Sequence, residues 1–212
     1  MDTVNMRLYL KKETEFLDFM GTDKVLVGLS YEECFNIYTI TKLTNKLKGV
    51  IAEVGVYKGG SASIIRKFKD EKRELYLFDT FKGLADVDKE KDGMLFNGYA
   101  NSKTSEKFLI QSFENDKTTH LIKGYFPDSI ADNEKFNKKR FSFVHIDVDT
   151  YLSTLKSLEF FYPKMIKNGI ILSHDYRNNG APGVSKAIDE FFKDKKEHVV
   201  PLWCSQGMII KI

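Results

Sequence analysis

Five acidic residues and one histidine stand where a chain of alternating strands and helices would bring them together. Asp147 and Asp149 follow the apolar run Phe141 to Ile146, and His174 with Asp175 follows Ile170 to Leu172. Asp79 follows Glu74 to Phe78, and Glu53 lies in the run that leads into Gly55. Carboxyl ends of parallel strands converge on one rim of a sheet, where a carboxylate is costly unless it is paired, hydrogen-bonded or bound to something. Asp147, Asp149, His174 and Asp175 together could make an oxygen and nitrogen site for a divalent cation. Carboxylates suit Mg or Mn, and the imidazole shifts the preference toward Mn, Fe or Zn. The same set could instead deprotonate a hydroxyl, with His174 or Asp149 as the base. A plainer role stays open for Asp175, which with Tyr176 could cap the following turn.

The second feature is the glycine-rich stretch Val50 to Ser63, VIAEVGVYKGGSAS. It reads as a strand, a tight turn and a helix start, a natural place for a cofactor. A dinucleotide fingerprint would place glycines as G-x-G-x-x-G, whereas here Glu53 precedes Gly55 and the next glycines are Gly59 and Gly60. A pyrophosphate prefers bare N–H groups at a helix start, so Glu53 speaks against a nicotinamide-dependent oxidoreductase and for a cationic ligand. Asp79 at a strand tip suits a ribose diol; as an alternative it caps a turn with Thr80. Phe81 could belong to the core or flank a nucleoside. His145 shares a strand face with Asp147 and reads as a hydrogen-bonded core histidine, while His120 and His198 have no constellation around them.

The positioning elements follow from periodicity. Leu8, Leu10, Phe16, Leu17, Phe19 and Met20 suggest an N-terminal helix that packs on the body or covers the site. Ser30 and Glu33 form a capping-box pattern for a helix from Tyr31 to Leu47 with Cys34, Ile37, Tyr38, Thr41, Leu43 and Leu47 inward. Strands are expected at Val50–Val54, Glu74–Phe78, His120–Lys123, Phe141–Ile146 and Ile170–Leu172, and helices at Gly60–Lys69, Thr104–Phe113, Pro127–Lys135, Leu152–Pro163 and Gly183–Lys193. Asn168-Gly169 is expected to cap the Leu152 helix. A hairpin of His198–Trp203 and Met208–Ile212 turns at Ser205-Gln206-Gly207. The fold class is therefore α/β, doubly wound, with a mostly parallel seven-stranded sheet and an antiparallel C-terminal hairpin. Residues 1–212 read as one domain, with 1–48 an N-terminal helical extension or lid and 49–212 the cofactor-binding core. The polar connection Leu84 to Asn101 has the length of a functional lid or a mobile segment.

Composition bounds the rest. With 212 residues, 42% hydrophobic, the chain supports one ordinary core. A net charge of +3, carried mostly by scattered lysines, argues against nucleic acid as a partner. Met1 to Lys12 is mixed and charged rather than apolar, and no run is long enough to span a membrane, so a cytoplasmic protein is expected. Cys34 and Cys204 lack metal spacing and read as two reduced, buried thiols.

The succession EVGVYKGGSAS, LFDTFKGL, KGYFPDSI, HIDVDTYLSTLKSLEFFYPKMIKNGIILSHDY and APGVSKAIDEFF resembles the macrocin O-methyltransferase family, class I S-adenosylmethionine-dependent methyltransferases. The resemblance spans roughly Val50 to Phe192, and the Asp-x-Asp-x-Tyr-x-Ser-Thr segment is its most specific part. It implies that Glu53, Gly55, Gly59, Gly60 and Ser61 hold the methionine end of S-adenosylmethionine. Asp79, Thr80 and Phe81 would meet the ribose and adenosyl side, with Gly124, Tyr125 and Phe126 near the cofactor. Asp147, Asp149 and His174 become the catalytic candidates, and Asp147, His174 and Asp175 the ligands of Mg or Mn. Where the family usually carries two adjacent acids before a Tyr, this chain reads His174-Asp175-Tyr176. That exchange weakens a Mg site, so either the metal differs or His174 has become the proton acceptor. The resemblance implies O-methylation of a hydroxyl on a sugar or small glycosylated metabolite, in a family whose members often form homo-oligomers. The competing reading is a non-catalytic S-adenosylmethionine or nucleoside-binding protein.

Overall fold

The computed structural model describes residues 13–21, 28–100 and 103–212. Leu8 and Leu10, and residue 101 at the end of the long connection, lie outside them. In chain order the elements are α1 (Thr14–Met20), α2 (Tyr31–Thr44), β1 (Val50–Val54), α3 (Gly60–Phe68), β2 (Leu75–Asp79), α4 (Lys103–Phe113), β3 (Thr119–Lys123), α5 (Glu134–Asn137), β4 (Phe141–Ile146), α6 (Tyr151–Phe161), β5 (Met165–His174), α7 (Pro182–Phe192), β6 (Val200–Leu202) and β7 (Gln206–Ile210). They build one seven-stranded sheet in the order β3-β2-β1-β4-β5-β7-β6. β1 to β5 run parallel, and β7 and β6 close the edge antiparallel. From β1 the chain winds outward to β3, then crosses back to lay β4 on the other side of β1. That reversal opens a crevice at the carboxyl ends of β1 and β4.

Both faces of the sheet are covered, which is why β4 reads as an unbroken apolar run rather than an alternating one. Ile51, Leu77, Phe143 and Leu172 pack with α2 and α3 through Ile37, Tyr38, Ile64 and Ile65, and Phe16 of α1 is fully buried in the same layer. Ala52, Val54, Phe78, Val144 and Ile171 pack on the opposite face with Leu158, Phe161, Val184 and Ile188 of α6 and α7. An aromatic cluster finishes that layer, with Phe126 stacked on Phe161 at 4.9 Å between centroids.

Several boundaries differ from the sequence reading. α6 stops at Phe161, where Pro163 enters a short 3₁₀ turn, Tyr162–Lys164. Asn168-Gly169 is then no helix cap; it lies inside the longer β5 as an irregularity in its pairing with β4, with Asn168 at φ 64°. Residues 127–135 split into a 3₁₀ turn and the four-residue α5. The hairpin turns at Cys204 and Ser205, both left-handed, so Gln206 and Gly207 belong to β7 and Cys204 is half-buried in a turn rather than buried in a strand. α2 ends at Thr44, short of Leu47, and Leu43 on it is exposed rather than inward.

The connection from 84 to 100 is an ordered strap. Its base is closed by Leu84 N–H to Tyr99 O and Gly98 N–H to Leu84 O, both 2.9 Å. Asp92, fully buried, anchors the middle by accepting from the Tyr151 amide at 2.7 Å and the Asp88 amide at 2.8 Å. Thr150 at the start of α6 offers no side-chain cap, so Asp92 supplies the missing acceptor to a first-turn amide from 59 residues away. Gly183 permits this approach, because a Cβ there would stand 1.8 Å from Asp92 Oδ1.

The tightest constraint lies at the crevice. Gly55 has φ +86°, and a Cβ on it would fall 1.7 Å from the carbonyl oxygen of Asp147. Gly55→Ala is expected to cost about 3 kcal/mol or more, from the left-handed backbone and the clash together. For a chain of this size that is a fall in Tm of about 6–12 °C, and an unchanged melting curve would show that the ends of β1 and β4 separate freely.

Candidate functional site

The crevice is a cleft of about 750 Å³ lined from the ends of all five parallel strands. Gly55, Gly60 and Ser61 come from the turn after β1, Asp79 and Thr80 from β2, Gly124, Tyr125 and Phe126 from β3, Asp147 and Asp149 from β4, and His174 and Asp175 from β5. The strap adds Leu84, Tyr99 and Ala100 to the opposite wall. Twelve residues singled out in the sequence thus meet in one cavity.

Three others do not line it. Glu53 alternates onto the α2 and α3 face of β1, where it is fully buried and meets His145 Nδ1 at 2.9 Å. Its Oε2 and His145 Nε2 have no hydrogen-bond partner. Gly59 turns the chain into α3 at φ +83° and backs onto Leu109 of α4. Phe81, with φ 55°, is turned down into the core.

The first turn is held by Asp79. Its Oδ2 accepts from the amides of Val56 and Tyr57, each at 2.7 Å, and its Oδ1 accepts from the Phe81 amide at 2.6 Å. Asp79 therefore caps a turn, as one of the sequence readings had it, and Oδ1 keeps a second acceptor position. The Thr80 hydroxyl is used locally, accepting from Lys82 N and donating to Gly83 O. α3 begins at Gly60 without a side-chain cap, so its first amides stand without a helical partner beside the cleft.

The carboxylate rim gathers four ionisable side chains around His174. His174 Nδ1 lies 2.9 Å from Asp175 Oδ2 and 3.4 Å from Asp147 Oδ1, and its Nε2 lies 3.1 Å from Glu33 Oε1. Asp147, His174 and Asp175 present ligand atoms within 4.8 Å of one another. Burial opposes a charge on His174, but the Asp147 charge and the hydrogen bonds to Asp175 and Glu33 outweigh it and push the imidazole up to about 12. Burial would raise Asp175, yet the His174 hydrogen bond and charge, with hydrogen bonds from Asp149 and Asn178, hold it below the usual range. For Asp149 the His174 charge compensates only in small part: burial, then the Asp147 and Asp175 charges, push it up to about 8. Burial raises Asp147 as well. Asp149 and Asp175 are hydrogen-bonded to each other, which raises the first and lowers the second. Both hold left-handed backbones, with φ 58° and 60°, a strain that persists only where the surroundings enforce it.

Sequence reasoning missed several participants. Glu33 was legible as a capping residue, and its Oε2 does accept the Ser30 amide at 2.7 Å. Its second oxygen, on His174, depends on tertiary packing that no local pattern announces. Asn178, which donates to Asp175 Oδ1, and Asp92 lie in polar tracts that look like solvated loop. Lys156 of α6 reaches both Asp86 of the strap and the Tyr125 hydroxyl at 3.3 Å, fastening the strap across the cleft mouth.

Comparison with known proteins agrees with this geometry. The chain is 23% identical over 194 residues to the demethyldecarbamoylnovobiocin O-methyltransferase of Streptomyces niveus, covering 82% of this chain and 70% of that protein. It is 24% identical over 200 residues to the 8-demethyl-8-(2,3-dimethoxy-alpha-L-rhamnosyl)-tetracenomycin-C 4'-O-methyltransferase of Streptomyces olivaceus, covering 82% and 74%. Among solved structures, the O-methyltransferase NovP superposes with a TM-score of 0.67 at 19% identity, over 85% of this chain and 79% of that one. The calicheamicin methyltransferase CalS11 gives 0.67 at 17% identity, over 99% and 94%. These likenesses establish the sheet order and flanking helices as the class I methyltransferase fold. The model of the family described as Macrocin-O-methyltransferase (TylF) matches residues 26–203, and the chain belongs to that family of S-adenosylmethionine-dependent O-methyltransferases.

Proposed function

We propose that this cleft methylates a hydroxyl of a sugar carried on a small glycosylated molecule, with Asp149 as the base. The carrying observation is the position of Asp149: it lies in the cleft at the switch between β1 and β4, on strained backbone, hydrogen-bonded to Asp175. One relative described above is named for the 4'-O-methylation of a compound bearing a rhamnosyl group, which supports the acceptor class.

S-adenosylmethionine supplies an electrophilic methyl group on a sulfonium. The cleft suits this donor. Gly55 leaves the floor bare, and the open amides of Gly60 and Ser61 at the start of α3 favour the carboxylate of its methionine end. The free acceptor position of Asp79 Oδ1 suits a ribose hydroxyl. The carboxylates of Asp147 and Asp175 favour a cation between the strand ends.

Of these residues, Asp149 answers the remaining need. A sugar hydroxyl has a pKa far above 7 and must lose a proton as its oxygen attacks, and a carboxyl poised near neutrality is a better acceptor than an ordinary aspartate. Burial, Asp147 and Asp175 provide that poise, and His174 moderates it. His174 is not free to act as base, since each ring nitrogen already meets a carboxylate. The strap completes the acceptor side. Tyr99 lines the cleft and is half-exposed, and Phe96, edge-on to it at 5.5 Å between centroids, exposes apolar surface for the aglycone.

Asp149→Asn is expected to lower kcat about 10²–10⁴-fold, with calorimetric affinity for S-adenosylmethionine within about twofold; wild-type turnover would remove Asp149 from the chemistry. Because the base must be deprotonated, kcat should fall on the acid side with an inflection at or below about 8. The bound sulfonium lowers the inflection, and a rate independent of pH through neutrality would contradict the assignment. Asp92→Ala, by freeing the strap, is expected to raise the acceptor KM about tenfold with little effect on donor affinity. An unchanged acceptor KM would separate the strap from acceptor binding.

A further inference from the structure

We infer that the His174 ring is a built-in cation that stands in for a divalent metal at this rim, locked in place by Glu33 from α2. The inference deepens the proposed reaction and rests on it only for the use to which the charge is put.

The geometry is that of a ring donating from both ends. Glu33 Oε1 takes Nε2 at 3.1 Å, and Asp175 Oδ2 lies in the hydrogen-bonding cone of Nδ1 at 2.9 Å, with Asp147 Oδ1 beside it at 3.4 Å. A metal-bound imidazole must offer a lone pair from one nitrogen. Here a coordinated ion on Nδ1 would have to occupy the direction that Asp175 already takes. Asp175 is largely engaged as well, since Oδ1 accepts from Asn178, Oδ2 meets His174, and Asp149 adds a further hydrogen bond. A hard ion such as Mg seeks oxygen ligands, and at position 174 it would find a nitrogen. The donor set does not fit such an ion, and the imidazolium serves the same electrostatic purpose. It places one fixed positive charge among Glu33, Asp147 and Asp175, beside the carboxyl that receives the acceptor's proton.

Glu33 makes the charge permanent. One of its oxygens closes the capping box with the Ser30 amide and the other holds Nε2, so the start of α2 and the end of β5 are joined through one side chain. Glu33 is thus a positioning residue. Its side chain is 9% exposed against 15% for His174, which keeps the pair from competing water.

Two readouts test this without an acceptor present. Nitrogen-15 NMR of ring-labelled protein at neutral pH is expected to show His174 protonated at both nitrogens, unchanged on adding Mn²⁺, and the electron paramagnetic resonance signal of free Mn²⁺ should not diminish. Uptake of one Mn²⁺ per chain by the wild-type protein, or a ring with one bare nitrogen, would overturn the inference. Glu33→Gln should leave Nε2 exchanging between protonated and bare states; a ring unaffected by that change would deny Glu33 its role. His174→Asp, which exchanges the imidazolium for a third carboxylate, is expected to take up one Mn²⁺. A variant that remains blind to Mn²⁺ would also contradict the exchange of ion for ring. Because neither measurement involves turnover, their failure leaves the assignment of Asp149 standing.

Discussion

The structure hangs on the contact between Gly55 and the backbone of Asp147, which only a residue without a side chain permits. β1 and β4 are neighbours in the sheet but far apart in the chain, and the amide of Asp147 donates to Val54 O at 2.8 Å just before the strands part. Beyond that bond the chain turns away in two directions, into the glycine turn and α3 on one side and into Asp149 and α6 on the other. The turn that suits a methyl donor and the rim that suits a proton acceptor are therefore held a bond's reach apart. A hinge or a long loop between them would lose that proximity, from which much of the rate of an in-line displacement comes.

Bringing strand ends this close concentrates negative charge, and the fold answers it with specific partners. Asp79 holds three backbone amides and clamps the turn, with one acceptor position of Oδ1 left over. Asp175 and Glu33 meet His174, and one oxygen of Glu53 meets His145 in the layer below. Burial raises Asp147 and Asp149, and Asp149, pushed up to about 8, is the carboxyl poised near neutral pH. Catalytic poise here is a remainder, produced by what the neighbouring groups have already been given.

The sheet was readable because buried parallel strands leave a plain record. FSFVHI and VIAEV are apolar with acidic residues at or beyond their ends, and both strands have the expected bounds. Asn168-Gly169 misled because the same dipeptide that ends a helix also makes a bulge, and only pairing with β4 distinguishes them. Glu53 and Phe81 were placed in the site by position along the chain, whereas strand alternation and a left-handed turn send their side chains into the core. Glu33, Asp92 and Asn178 act across 141, 59 and 3 residues, respectively. The first two partnerships exist only once the chain is folded, and the third is local but resembles any loop asparagine. His174 was legible as an exchange of imidazole for acid, but whether the ring accepts a proton or holds one depends on Glu33, which sequence spacing does not reveal.

The most direct test of the account is a crystal structure of the protein with S-adenosylhomocysteine. The account predicts the amino-acid end of the ligand against the amides of Gly60 and Ser61, a ribose hydroxyl on Asp79 Oδ1, and the sulfur opening toward Asp149. A ligand bound away from the Gly55 turn, or a sulfur directed to a wall of the cleft from which Asp149 is screened, would contradict the claim that β1 and β4 set donor and base side by side.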